Sequence, residues 1–186
     1  MTQGDDADRT EVERLLGRPA RGAFEVVVRH DDGSPLVIRN APLLDDGTPM
    51  PTRYWLVGEP ERTQVGRLES TGAVDVAEAE VDAGELAAAH ERYRAERDAA
   101  LPADHDGPRP FGGVAGTRVG VKCLHAHYAW FLAGGADPVG RWVHDHLTDH
   151  LTGHPPEHPS PSTADTGVTD DPTDGAPVDP PGVADA

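Results

Sequence analysis

The sequence has one cysteine, Cys123, and one lysine, Lys122. A lone cysteine excludes an internal disulfide framework. Aromatic residues are scarce, three each of Trp, Tyr and Phe, and only 37% of the 186 residues are apolar. That suffices for one modest domain with a thin core. No run of about 18 apolar residues occurs, so no segment reads as a membrane-spanning helix. The first residues, Met1 to Thr10, lack the basic and apolar regions of a signal peptide. Positive charge is also short: 16 Lys and Arg against 33 Asp and Glu leave −17. Such a charge repels phosphates, which argues against a nucleic-acid groove or insertion at an anionic membrane. A soluble cytoplasmic protein is the expectation.

What is present is unevenly spread. From Thr152 to Ala186 there is no Lys, Arg or aromatic residue, but eight prolines and seven acids. Such a segment buries too little apolar surface to offset chain entropy, and the expectation is disorder over 152–186. Residues 1–8 are similarly polar. The expected folding unit is a single domain over 9–151.

Glu11 to Leu16 reads as a short helix ended by Gly17 and Pro19. Phe24 to Arg29 is β-branched and short, a strand. His30 to Pro35 is turn chemistry, with Leu36 to Arg39 as the hairpin partner. Asn40 to Pro51 is a loop stiffened by prolines, and Thr52 to Val57 reads as a third strand. Glu61 to Ser70 reads as a helix stopped by Gly72, and Val74 to Val76 as a further short strand. Asp82 to Leu101 is the clearest helix, opened by Asp82 and Glu85 in a capping box. On it Leu86, His90, Tyr93 and Arg97 share one face. The simplest expectation puts Leu86 and Ala89 in the core and His90 and Arg97 at its edge. Gly112 to Gly116 lacks the Gly-Lys-Ser/Thr of a phosphate loop and reads as a flexible turn. Val121 to Gly134 reads as an apolar helix, and Asp137-Pro138 starts a last one running to about Leu151. The fold class expected is α+β: a small, mostly antiparallel sheet packed against C-terminal helices.

Chemistry concentrates at Lys122-Cys123-Leu124-His125-Ala126-His127. On one regular helix Cys123 and His127 are neighbours while His125 points about 160° away from His127. The three could share an ion if the helix begins only after Cys123. Thiolate and imidazole together suit zinc, which takes three or four ligands. His90 and His30 are the available further donors. Four readings compete: plain core packing of the cysteine, a metal site, an anion or small-ligand site at Arg118 and Lys122 near a helix start, and a nucleophilic Cys123. The histidines His146, His150, His154 and His158 recur every four residues and read as a solvated chain end.

Several segments in order, Asp46-Gly47-Thr48-Pro49-Met50-Pro51-Thr52-Arg53-Tyr54-Trp55-Leu56, Leu68-Glu69-Ser70-Thr71-Gly72, His90-Glu91-Arg92-Tyr93, Val121-Lys122-Cys123-Leu124-His125-Ala126-His127 and Asp137-Pro138-Val139-Gly140, together resemble the bacterial domain-of-unknown-function family 501, found mainly in actinobacteria. The resemblance covers about Leu15 to Leu147. It implies no established activity. Members are often encoded beside a septum-formation initiator and an exopolyphosphatase-like protein, which implies a cell-division partner by association alone. The resemblance also implies that many relatives carry cysteine where this chain has His30, and some where it has Gly58, which points to a metal site that the histidine retains and the glycine weakens.

The reading that results is a binding domain with a polar pocket for a metal ion, zinc being the candidate, or for a small anion. Its metal donors would be His30, His90, Cys123, His125 and His127. Its ligand contacts would be Asp46, Thr48, Thr52, Arg97, Arg118 and Lys122. The rivals are an interaction module in cell division or septum formation, and a metal-dependent hydrolase.

Overall fold

A computed structural model describes residues 6–152, with side chains as far as Thr148. Of the tail expected over 152–186 only Thr152, the last residue of the final helix, is described; the rest, with His154 and His158, lies beyond the described residues, as does the side chain of His150. Helix α1 (Asp6–Leu16) leads into strands β1 (Phe24–Arg29), β2 (Pro35–Asn40) and β3 (Tyr54–Leu56). Helices α2 (Glu61–Ser70), α3 (Ala73–Glu80), α4 (Ala83–Ala99), α5 (Leu124–Leu132) and α6 (Pro138–Thr152) follow. The fold is α+β.

The sheet is antiparallel, in the order β1-β2-β3. Strand β2 is central and buried on both faces, which its run Leu36-Val37-Ile38 allows. Alternation sends neighbours to opposite layers. Ile38, beside Val26 and Trp55, joins Phe24 and Val57 under Val12 of α1. Val37, beside Leu56, faces the larger core built with Val65, Ala77, Leu86, Tyr93, Leu124 and Val143. One short sheet thus separates a small core from the main one, and α5 lies against β3.

Helix α4 carries most of its buried face as polar and aromatic side chains that reach the sheet and the loop before α5. Its Asp82 carboxylate accepts from Glu85 N at 2.8 Å, as the capping pattern requires. The edge position expected for His90 and Arg97 is corrected: both are buried, Arg97 completely. Arg97 is tolerated there because its guanidinium donates to the carbonyls of Pro110, Phe111 and Gly112 at 3.1, 3.2 and 2.8 Å, and to Asp98 at 2.8 Å. The Tyr93 hydroxyl accepts from the backbone N–H groups of Arg53 and Tyr54, at 2.6 and 3.3 Å, tying α4 to β3. The glycine segment expected to be a flexible turn is therefore clamped onto Arg97. It also includes a tight 3-10 turn, Val114–Gly116.

Several boundaries differ from the sequence reading: α1 starts at Asp6 and not at Glu11, so residues 6–8 belong to it, and β3 is shortened to Tyr54–Leu56. Val74 to Val76 is not a strand but part of α3, since Ala73 and Ala77, four apart, bury one helical face. Helix α5 starts at Leu124, not Val121, because Cys123 is extended (φ −158°, ψ 117°).

Replacing Arg97 with Met should cost about 3 kcal/mol in urea unfolding, because it removes the guanidinium that three loop carbonyls and Asp98 accept from. Gly113→Ala should cost about 1–3 kcal/mol, since a Cβ there would lie 2.5 Å from His90 Cβ and Nδ1. Unchanged midpoints for both would show that the clamp carries no stability.

Candidate functional site

The late start of α5 builds the site. A helix leaves its first N–H groups without internal partners, and Cys123, at the position before the helix, offers them no side-chain bond. The partner comes from α2: Glu69 Oε1 accepts from Leu124 N at 2.7 Å and from His125 N at 3.4 Å. The other oxygen, Oε2, lies 3.1 Å from His125 Nδ1. His125 Nε2–H donates to the Arg62 carbonyl, also on α2, at 3.0 Å. One atom each from Glu69, Cys123 and His125 lies within 4.8 Å of the others. This is the sole such group of three or more His, Cys, Asp or Glu donors among the described residues.

Burial works against a charged His125, but hydrogen bonds to Cys123 and Glu69 and the Glu69 charge outweigh it, and the imidazole is pushed up to about 10. Burial also opposes ionisation of Glu69, yet His125 and the α5 N–H hold it below the usual carboxylate range. At neutral pH the site is an imidazolium–carboxylate pair beside a thiol. Because Nε2 is committed to a carbonyl, Nδ1 is the nitrogen left for the cluster. This is how a backbone acceptor usually orients a metal-binding imidazole.

The cluster opens on a recess of about 290 Å³ whose lining includes Leu16, Arg18, Thr52, Trp55, Leu56 and Arg62. Arg18 lies over the Trp55 ring, 5.2 Å from its centroid. Arg62 is held by Glu59 at 2.7 Å and by the Leu15 carbonyl at 2.9 Å.

The five histidine and cysteine donors expected to converge are distributed over three places. Cys123 and His125 meet, joined by Glu69. His127 is fully buried and donates through Nδ1 to Asp137 Oδ2 at 2.7 Å, while Asp137 Oδ1 caps α6 by accepting from Gly140 N. His127 Nε2 is buried and makes no hydrogen bond. The His90 ring meets His127 edge-on, with centroids 5.7 Å apart. His90 accepts from Val114 N at Nδ1 and donates to Gly120 O from Nε2. Both its nitrogens are spent on main chain, and burial holds its pKa below the usual imidazole value. It fastens the 113–120 loop to α4. His30 stands apart with Nε2 3.6 Å from Glu61 Oε2, both atoms buried without a hydrogen bond. A Cβ at Gly58 would lie 2.7 Å from that nitrogen, so positions 30 and 58 adjoin.

The expected ligand contacts also disperse. Asp46 accepts from Thr48 N at 2.9 Å and so shapes the exposed tip of the 40–51 loop. Arg97 is consumed by the clamp. Arg118 lies over Phe111, and Lys122 is exposed. Thr52 alone of these lines the recess. Glu69 was missed as a site residue, although it lies in a segment that carries the family resemblance. A carboxylate 54 positions before Cys123 has no local signal that it will reach the thiol.

The family model described as Protein of unknown function (DUF501) matches residues 26–145. The chain belongs to this family. No curated protein and no solved structure matches the chain. The match takes in the sheet from Val26 onward, the five later helices up to Asp145, and every member of the Glu69–Cys123–His125 cluster. No helix among the described residues is long and apolar enough to cross a membrane.

The raised His125 pKa fixes a pH dependence. Its contribution to stability is complete below the unfolded value near 6.5 and is lost as pH rises toward about 10. The Glu69 contribution is present above its unfolded value of 4.5 and is lost as pH falls through its lower folded value. Thermal unfolding of metal-free protein should therefore show a midpoint that declines from pH 6.5 to 10, and His125→Asn should flatten that limb. Equal slopes in both proteins would remove the ion pair as a stabilising contact.

Proposed function

We propose that this is a metal-binding domain in which Glu69, Cys123 and His125 hold a zinc-type divalent ion. The observation that carries the reading is the meeting of carboxylate, thiol and imidazole donors from α2 and the start of α5, with His125 already oriented by the Arg62 carbonyl. Thiolate and imidazole select zinc over magnesium or calcium, and a carboxylate completes a three-residue donor set. Three protein donors leave a fourth position for a small molecule, the arrangement of catalytic rather than purely structural zinc sites. The recess beside Cys123 and His125 is where that position would face.

Ion and proton compete here. Loading must remove the His125 proton, so affinity should rise with pH across the neutral range. The chain end carries further histidines, so a readout specific to the thiol is needed. Protein made without a histidine tag should take up one equivalent of Co²⁺ with a sulfur-to-cobalt charge-transfer band in the near ultraviolet, and Zn²⁺ should displace it. Cys123→Ser should abolish the band, and Glu69→Gln and His125→Asn should each weaken binding at least about tenfold. A band that never forms, or uptake unaffected by all three substitutions, would refute the metal reading.

A further inference from the structure

The recess beside the cluster has a composition of its own. Leu16, Trp55, Leu56 and Ala126 give it an apolar wall. Two arginines border it, but their states differ. Arg62 is neutralised by Glu59, and its guanidinium also holds the Leu15 carbonyl. Arg18 has no carboxylate within ion-pair distance among the described residues; its guanidinium rests on the Trp55 ring. One uncompensated guanidinium thus stands at an apolar wall, with a thiol and an imidazole also lining the space.

From this we propose that the recess takes a small monocarboxylate with a short apolar body, which rests on the metal reading insofar as one carboxylate oxygen takes the open metal position. Charge count favours a single negative group. A phosphate dianion would need a second free cation and would set a strongly hydrated head against Leu16, Leu56 and Trp55. A carboxylate matches the planar guanidinium fork, and the aliphatic or aromatic remainder covers the wall. The volume of about 290 Å³ is at the lower end of ligand pockets, about 300–1,000 Å³, which fits a small acid and not a dinucleotide. Leu16, Arg18 and Trp55 also border a second recess, of about 160 Å³, lined by Ile38, Leu44 and Met50. The ligand is bound and released unchanged, and no covalent step is proposed.

The test uses the full chain loaded with Co²⁺ and four probes: hexanoate, acetate, 1-hexanol and inorganic phosphate. Hexanoate should perturb the cobalt spectrum saturably and bind at least about tenfold more tightly than the other three. Arg18→Met should weaken hexanoate at least about tenfold, and Trp55→Ala should erase its advantage over acetate. Equal affinity for hexanoate and acetate, tighter binding of phosphate, or an unaltered hexanoate affinity in Arg18→Met would overturn the proposal. The two readings fail separately. If no cobalt–thiolate band forms, the metal reading has failed, and hexanoate is then titrated into metal-free protein by tryptophan fluorescence, with Trp55→Phe as the control. A saturable signal lost in Trp55→Phe supports the recess as a carboxylate site without the metal, and no such signal overturns it.

Discussion

The carboxylate of Glu69 is the contact on which the site depends. One oxygen satisfies the opening N–H groups of α5 and the other faces the His125 ring. A helix that began at Val121 would place Cys123 and His125 on different faces of a regular spiral. Because the helix begins after Cys123, the thiol sits on extended chain and is free to lie beside the imidazole. The bond that stabilises the helix start and the bond that orients the site come from the same side chain. Loss of Glu69 would therefore affect fold and chemistry together, which is why the cobalt band, a property of Cys123, is the cleaner readout.

The rest of the C-terminal half holds the start of α5 and its leading loop in place through buried polar contacts. Arg97 gathers three carbonyls of the loop before α5, and His90 fastens the next stretch of that loop at Val114 and Gly120. Further on, Asp137 caps α6 and binds His127. Each group is costly to bury alone and stable only when its partners are present. A chain with few aromatic residues and a thin apolar core has used fixed polar geometry to define its long connection. The histidines at 90 and 127 belong to this scaffolding, and 125 belongs to the site.

Much of the architecture was legible from residue order. The β-branched run Phe24 to Arg29, the turn at His30 to Pro35, and the capping pair Asp82 and Glu85 each specify their element through contacts a few residues apart. The stripe Leu86, His90, Tyr93, Arg97 correctly marked the face that α4 turns inward. Its two ionisable members were placed at the edge because spacing along a helix gives direction and not depth. Whether a charged group can be buried depends on acceptors elsewhere, here carbonyls at 110–112. The segment Val74 to Val76 misled for a related reason: three residues are too few to distinguish a strand from one turn of an Ala-lined helix.

The sequence by itself determined the α+β class, the hairpin, the inward face of α4 and the concentration of thiol and imidazole at 123–127, because these follow from local sterics, hydrogen bonding and periodicity. Tertiary structure decided which imidazole meets the thiol, that Glu69 and not His30 or His90 joins them, and where α5 begins. Those outcomes depend on a carboxylate supplied by a distant helix, and the free energy of a contact between remote segments is set by the packing that brings them together, which no local pattern encodes.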